Sequence, residues 1–175
     1  MKKRRIALIS TGGTIEKTYD QHSGVLDLLQ LANQVSVLDM MLASLELRGV
    51  DIQRIALMNK DSLDMTPEDH TLIAETAGRM ANEHAGVVVV HGTDRLANSG
   101  DRVVELVGMP ASPIVFTGAM RPYELRATDA LQNLIEALLA VQILPPGVYV
   151  AMHNQVLQFP GVTKDRNAGT FVKDV

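Results

Sequence analysis

Short apolar runs alternate along the chain with segments in which apolar residues recur at helical spacing. Arg5 to Ser10 is predicted to form a first strand. Gly86 to His91 contains four consecutive valines, which is typical of a strand buried on both faces in a parallel sheet. The remaining predicted strands are Val50 to Met58, Pro113 to Thr117 and Val148 to Met152.

Helices are predicted between these strands. The second has a clear start, because Thr66 suits the N-cap and Pro67 the first helical position. Five strands alternating with four helices predict a doubly wound, flavodoxin-like, mostly parallel α/β sheet in a single domain. The tail, Leu157 to Val175, is predicted to be loop with a short strand. The four helices are predicted at Leu31 to Leu47, from Pro67 to about Ala81, Leu96 to Val107 and Thr128 to Ile143.

Composition narrows the function classes. A chain of 175 residues suits one domain, and 16 Lys and Arg against 20 Asp and Glu give a net charge of −4, which disfavours non-specific nucleic-acid binding. The absence of cysteine excludes disulfides, thiolate zinc sites and cysteine nucleophiles. No apolar run approaches the roughly 18 residues that span a bilayer, and the basic start Lys2 to Arg5 lacks a signal-peptide core. A cytoplasmic enzyme that binds no membrane is expected.

Four polar loops follow the first four predicted strands. Ligands of open α/β sheets bind beyond the carboxyl ends of the strands, so these loops are expected to converge on one edge of the sheet. The loops are Thr11 to Thr14, Asn59 to Asp64, His91 to Arg95 and Gly118 to Pro122.

Two of these loops carry hydroxyls that can support nucleophilic chemistry. Thr14 and Thr93 follow glycines that allow close backbone approach to a ligand. A threonine hydroxyl needs a base, and Lys164 and Tyr19 are candidates, with Asp94 able to orient the lysine. Glycine-flanked backbone amides can supply an oxyanion hole. The set permits amide or ester hydrolysis without naming a substrate.

Simpler interpretations of the same residues remain open. A Gly-Gly turn is often only a tight connection, and neither GxxxxGK[ST] nor GxGxxG is present to indicate nucleotide binding. His91 at a strand end is more often a structural donor than a catalyst. Lys164 alone resembles an ordinary surface lysine. The other histidines show no metal-ligand spacing; they are His22, His70, His84 and His153.

Five segments, in order along the chain, resemble signatures of the bacterial-type L-asparaginases (the asparaginase/glutaminase amidohydrolases). The first, third and fourth contain the glycines that follow predicted strands, and the last contains Lys164. The segments are Ser10 to Ile15, Asp61 to Thr66, Val88 to Asp94, Phe116 to Pro122 and Val162 to Lys164.

The resemblance implies hydrolysis of L-asparagine to L-aspartate and ammonia. Thr14 is then the nucleophile that forms an acyl-enzyme, and Tyr19 helps to activate it. Thr93, Asp94 and Lys164 form a second catalytic cluster.

Substrate contacts follow from the same resemblance. The Ser62 hydroxyl binds the α-carboxylate, Asp94 pairs with the α-ammonium, and the Ala119 carbonyl holds the leaving nitrogen. No metal or organic cofactor is implied. A small-molecule amino acid is the expected substrate, and a homo-oligomer, a dimer or tetramer, is the expected assembly.

The sequence also departs from the family pattern. Arg95 replaces a small hydroxyl residue beside Asp94, and Leu63 replaces a polar residue. Residues 1–175 are expected to form a catalytic domain similar to the N-terminal domain of the family, with the family's usual C-terminal domain expected to be absent. Glutamine or another small amide is an alternative substrate, and a non-catalytic amino-acid-binding domain is an alternative role. A subunit of a transfer-RNA amidotransferase is disfavoured, since no additional RNA-binding segment is evident.

Overall fold

A central six-stranded sheet organises the computed structural model, which describes residues 3–28 and 35–173. Two short 3-10 turns occur at Thr14–Glu16 and Ser62–Asp64. The strands are β1 Arg4–Ser10, β2 Thr18–Asp20, β3 Val25–Asp27, β4 Val50–Ala56, β5 Gly86–Val90, β6 Ile114–Thr117, β7 Val148–Met152, β8 Gln155–Gln158, β9 Val162–Asp165 and β10 Thr170–Lys173. The helices are α1 Val37–Ala43, α2 Pro67–Glu83, α3 Leu96–Val107 and α4 Ala130–Ile143.

The strand order β4-β1-β5-β6-β7-β8 confirms the doubly wound fold. The first five of these strands are parallel, and β8 pairs antiparallel with β7 at the edge. The chain moves from β1 outward to β4 and then returns to the other side of β1 at β5. The switch point therefore lies between β1 and β5, where a crevice for a ligand is expected.

Helices cover both faces of this sheet. Valines of β5 show this directly, because Val87 and Val89 pack into the layer under α2 and α3, and Val88 and Val90 into the layer under α1 and α4. All four are fully buried. The apolar run predicted as a two-sided strand is thus confirmed. Among the described residues, no helix is long and apolar enough to cross a membrane.

The start signals predicted for α2 are confirmed. The Thr66 side chain accepts a hydrogen bond from the Asp69 amide, and the Asp69 carboxylate accepts one from the Thr66 amide, which together form a capping box. Pro67 occupies the first helical position. The predicted apolar face is buried, including Ile73 and Ala77.

The helix predicted from Leu31 to Leu47 is too long. Its first part, residues 31–34, lies outside the described residues, and the helix that is seen runs only over α1. Ser36 caps the start by accepting from the Asp39 amide at 3.1 Å. Ser44 ends it by donating its hydroxyl to the Met41 carbonyl at 2.7 Å. Serine side chains that bond to the backbone favour helix ends over helix interiors.

The prediction for Leu157 to Val175 is also wrong. Instead of loop with one short strand, the described part of this region contains the end of β8 and the whole β9–β10 hairpin. The β7–β8 turn uses His153 and Asn154 at φ 54° and 60°, the paired positive angles of a type I′ hairpin. Strands of four residues are too short to show a clear alternation of polar and apolar positions.

Candidate active site

Close backbone contacts bring the strand-end loops together. Gly12 and Gly13 have φ of 93° and 94°, and a Cβ on either would clash, lying 2.6 Å from the Lys60 amide nitrogen and 2.5 Å from the Gly92 Cα. Glycine is required at both positions for this approach. A Cβ on Gly118 would lie 2.3 Å from the His91 carbonyl. The predicted convergence of the four loops is therefore confirmed.

Thr14 begins the 3-10 turn after β1, at the switch point of the sheet. Its side chain is half-buried, and the following Ile15 is fully buried and anchors the turn. Burial raises the pKa of Glu16 in the same turn, with Arg54 opposing that rise. Thr14 is thus fixed by its backbone neighbours beside the loop that carries Thr93.

Thr93, Asp94 and Lys164 form one hydrogen-bonded cluster. The Lys164 ammonium donates to the Thr93 hydroxyl at 2.8 Å and to Asp94 Oδ1 at 3.0 Å. Thr93 is buried, and the Lys164 side chain is only 16 % exposed. Strand β9 delivers Lys164 to the switch point, and its partner in register, Phe171, is buried in the core. The three residues are brought together, as the family resemblance implies.

Ser62 lies in the same crevice, packed against the glycine turn after β5. A Cβ on Gly92 would lie 2.7 Å from the Ser62 hydroxyl oxygen, and that oxygen accepts a 3.4 Å hydrogen bond from the Arg95 amide. Its neighbour Asp61 pairs with Lys17 at 2.8 Å. The hydrogen bond from Lys17 and the nearby charge of Lys164 lower the pKa of Asp61.

Tyr19 is placed differently from the other predicted site residues. It lies on β2 with its side chain 55 % exposed, and its hydroxyl lies above Gly24 of the same hairpin. In the described part of the chain no hydrogen bond joins that hydroxyl to Thr14. A participation of Tyr19 in catalysis stays a prediction.

Comparisons with known proteins agree with these signatures. Residues 5–170 match the family model described as asparaginase, N-terminal. The chain belongs to the asparaginase family. An L-asparaginase of Thermococcus kodakarensis is 31% identical over 170 residues, covering 94% of this chain and 49% of that protein. A glutamyl-tRNA(Gln) amidotransferase subunit of Methanococcus vannielii is 30% identical over 155 residues, covering 87% and 35%.

Solved structures show the same fold. The thermostable L-asparaginase from Thermococcus kodakarensis superposes with a TM-score of 0.84 at 28% identity, covering 97% of this chain and 51% of that one. A probable cytoplasmic L-asparaginase from Campylobacter jejuni gives 0.78 at 28% identity, covering 98% and 52%. The chain spans about half the length of these L-asparaginases and about a third of the amidotransferase protein.

In this asparaginase-family chain, Asp129 holds the loop that carries Ala119. Its carboxylate accepts from the amides of Met120 and Arg121, both at 2.9 Å, and from His153 Nε2 at 2.8 Å. Burial raises the pKa of Asp129, but these hydrogen bonds outweigh it and leave that pKa below its ordinary value. Asp129 is not among the site residues predicted from the sequence. The signal that could have indicated it is its position directly before α4, at the end of a polar loop.

A buried chain of hydrogen bonds supports the neighbouring loop. His91 Nδ1 donates to the Gly92 carbonyl at 2.7 Å, so His91 Nε2 accepts from the Ser99 hydroxyl at 2.8 Å. Ser99 in turn accepts from His70 Nδ1 at 2.7 Å. Burial lowers the pKa of His91 to about 4, and burial and Arg95 lower that of His70. His91 is a neutral structural donor, as expected, and it fixes the backbone next to Thr93.

Arg95 links two loops of the site. Its guanidinium donates to the Met65 carbonyl at 2.7 Å, while its amide contacts Ser62. Leu63 between them is 51 % exposed. Among the described residues, no group of three or more His, Asp or Glu side chains is arranged to hold a metal ion. The groups that the crevice offers are hydroxyls, cationic side chains, carboxylates and backbone amides.

Proposed function

We propose that this chain is an amidohydrolase that converts L-asparagine to L-aspartate and ammonia through an acyl-enzyme on Thr14. The observation that carries the proposal is the 2.8 Å contact between the Lys164 ammonium and the Thr93 hydroxyl, next to Asp94 and the Thr14 turn. Membership of the asparaginase family supports the same reaction class.

In the first half of the reaction, Thr14 Oγ1 attacks the side-chain amide carbon of the substrate. A C–O bond forms, the Thr14 proton is relayed through the Tyr19 hydroxyl to the amide nitrogen, and the C–N bond breaks to release ammonia. Backbone N–H groups of the glycine turns stabilise the oxyanion. The Ala119 carbonyl accepts a hydrogen bond from the leaving nitrogen.

In the second half, water hydrolyses the acyl-enzyme and releases aspartate. The water oxygen bonds to the acyl carbon, the bond from that carbon to Thr14 Oγ1 breaks, and the water proton passes through the Thr93 hydroxyl to Thr14 Oγ1. The Lys164 ammonium, held by Asp94, orients the Thr93 hydroxyl for this transfer. Ser62 donates to the substrate α-carboxylate, and Asp94 also accepts from the α-ammonium. Every step uses protein groups alone, with no metal or organic cofactor.

Release of ammonia from L-asparagine and L-glutamine, measured side by side, tests the proposal. We expect faster release from asparagine, and almost none in the variants Thr14→Val, Thr93→Ala and Lys164→Met. Faster release from glutamine selects the glutaminase alternative. The enzyme proposal is overturned if no amide releases ammonia and Thr14→Val does not differ from the native protein. Binding of aspartate in calorimetry under the same conditions then selects the non-catalytic binding domain.

A second candidate function comes from the amidotransferase relatives. These relatives are 30% and 33% identical to this chain over most of its length, which favours an amidotransferase role. The similarity counts for more than the lack of an evident RNA-binding segment, which spoke against that role. A subunit of an amidotransferase acts within a complex. Full ammonia release by the isolated chain favours the free amidohydrolase, whereas release that requires an added partner protein favours the amidotransferase role.

We also propose a cytoplasmic homo-oligomer, a dimer or a tetramer. The structural neighbour from Campylobacter jejuni is named a probable cytoplasmic L-asparaginase, which supports the location. Exposed apolar side chains on α4 and β8, namely Ile135, Leu139, Ile143 and Val156, support association through that face. Light scattering on the eluting chromatographic peak tests this, and a monomer at working concentration contradicts it.

A further inference from the structure

The carboxylate of Asp129 does not cap the helix that it precedes. Asp129 occupies the N-cap position of α4, where an aspartate side chain ordinarily accepts from the first amides of its own helix. In the part of the chain that the structure describes, its side chain makes no such bond. Its two oxygens accept instead from the amides of Met120 and Arg121, both at 2.9 Å. This buried carboxylate therefore serves the loop rather than the helix.

The amide of Met120 and the carbonyl of Ala119 belong to one peptide unit. A trans peptide is planar, and its N–H and C=O point in opposite directions. Because Asp129 Oδ2 holds the Met120 N–H at 2.9 Å, it also sets the direction of the Ala119 carbonyl. Among residues 3–28 and 35–173, no hydrogen bond reaches that carbonyl oxygen. The oxygen is therefore available to a donor on the substrate.

The preceding peptide is fixed from inside the fold. Asn133 of α4 is fully buried, and its Nδ2 donates to the Gly118 carbonyl and to Asp129 Oδ2, both at 2.9 Å. A Cβ on Gly118 would lie 2.3 Å from the His91 carbonyl, so this peptide also packs against the loop after β5. With both neighbouring peptides held, the Ala119 carbonyl has little freedom to rotate.

The negative charge of Asp129 adds to this geometric constraint. Hydrogen-bonded groups polarise one another, so a carboxylate on the N–H side of a peptide makes the C=O side a stronger acceptor. As the C–N bond of an amide substrate breaks, the departing nitrogen takes up a proton and becomes a stronger donor. A polarised carbonyl therefore stabilises the transition state more than the bound substrate, which is the condition for a gain in rate.

We infer that Asp129 is a positioning residue for the departure of ammonia and acts through the Ala119–Met120 peptide. The inference rests on the proposed function, in which the Ala119 carbonyl accepts from the leaving nitrogen. It adds that a residue touching no reacting atom determines how well the leaving group is recognised. Loss of a group that contacts the reacting atoms costs about 100- to 1,000-fold in kcat, and loss of one that acts through a peptide should cost about tenfold.

Comparison of an amide with an ester tests the inference. L-asparagine and the β-methyl ester of L-aspartate form the same acyl-enzyme, so their kcat/KM values differ only in the binding and expulsion of the leaving group. The bridging oxygen of the ester carries no hydrogen to donate to Ala119. We expect Asp129→Asn to lower kcat/KM for asparagine about tenfold more than for the ester. This ratio is independent of the fraction of protein that is folded, so a loss of stability does not alter it.

Asp51→Asn is the matched control. Asp51 is exposed near the start of β4, at the opposite end of that strand from the loops of the site, and both kcat/KM values should stay unchanged. Equal losses for the amide and the ester in Asp129→Asn overturn the inference alone, since a merely structural role affects both substrates. Absence of ammonia from any amide with the native protein overturns the proposed function and the inference together.

A second measurement requires neither turnover nor the aspartate variant. Alanine labelled with ¹³C at the carbonyl and methionine labelled with ¹⁵N give two linked resonances in nuclear magnetic resonance, from the peptides Ala119–Met120 and Ala151–Met152. In Thr14→Val, L-asparagine should move the Met120 amide proton downfield, whereas L-aspartate, which lacks a side-chain amide, should not. Met152 on β7 is the internal control. A Met120 resonance that responds equally to both ligands contradicts the inference.

Discussion

The two threonines of the site lie in different surroundings. Thr93 is 4 % exposed and is bonded to Lys164, in a loop supported by the buried His91. Thr14 is half-buried on a 3-10 turn, and the hairpin that follows it presents Tyr19 to solvent. One half of the site is therefore organised by side-chain hydrogen bonds and charge, and the other by glycine backbone geometry.

This difference separates two kinds of requirement. The Thr93 half depends on groups that are buried or charged, so removing one leaves its partners unsatisfied. The Thr14 half depends on the close approach of glycine backbones, so substitutions of its side chains should have little effect on stability. The exceptions are the side chains proposed to take part in the reaction. Substitutions on the two halves should accordingly differ in size and in whether they affect activity or stability.

The largest effect is expected for Lys164→Met. It removes the ammonium that donates to the Thr93 hydroxyl and orients it in the proposed second half-reaction, and kcat should fall about 100- to 10,000-fold. Lys173→Met on the same hairpin is the control, because Lys173 is exposed and its ammonium donates to the Gln158 carbonyl. The ammonia assay measures both, and native activity in Lys164→Met contradicts the role of this half.

Acidification should destabilise the Thr93 half through His91. Burial lowers the pKa of His91 from 6.5 to about 4, so between these values the unfolded chain binds a proton that the folded chain does not. This contribution is fully present above pH 6.5 and is lost as the pH falls to 4. The free energy of unfolding should drop by about 3 kcal/mol over that interval.

Urea unfolding at pH 7, 5.5 and 4 measures the drop. In His91→Gln the pH dependence should become shallower, whatever its stability at pH 7. His22→Gln is the control, since the His22 side chain is 86% exposed, and it should keep the native slope. Equal slopes in all three proteins are incompatible with a buried neutral His91.

A smaller stability effect is expected for Asp129→Asn. The substitution replaces a buried carboxylate that accepts from two backbone amides and His153, and it should cost about 2 kcal/mol in unfolding free energy. Asp39→Asn is the control, because Asp39 is 49 % exposed and its pair with Arg54 contributes about 1 kcal/mol or less. Equal losses of unfolding free energy in the two variants would contradict the role of Asp129 in holding the loop that carries Ala119.

The smallest effect is expected on the Thr14 half. Tyr19→Phe should lower kcat about tenfold, because its exposed hydroxyl is proposed only to assist the activation of Thr14. Tyr123→Phe is the matched control, because the amide of Tyr123 bonds to the Ile15 carbonyl, a contact that the substitution retains. An unchanged kcat in Tyr19→Phe means that another group activates Thr14.

Sequence reasoning succeeded where one local signal decides the structure. The Thr66–Pro67 start of α2 and the valine run of β5 depend on neighbouring residues alone, and both are present. The convergence of the glycine loops followed from topology. For the Thr93, Asp94 and Lys164 cluster the resemblance was needed, since Lys164 by itself is indistinguishable from a surface lysine.

Long-range contacts are the part of the structure that local sequence patterns do not predict. Lys164 and Thr93 are 71 residues apart, and Asp129 and His153 are 24 apart. No periodicity encodes such pairings. The four-residue strand β8 is likewise stabilised by pairing with β7, and β9 and β10 by pairing with each other, which local patterns do not report.

The antiparallel edge strand β8 has a consequence for how the molecule is assembled. It reverses the chain, and β9 then carries Lys164 back to loops made much earlier in the sequence. During synthesis the parallel strands and Thr93 emerge from the ribosome well before this lysine does. The parallel strands can pair while Asp94 still lacks its ammonium partner, so the cluster of Thr93, Asp94 and Lys164 is completed only after that part of the sheet.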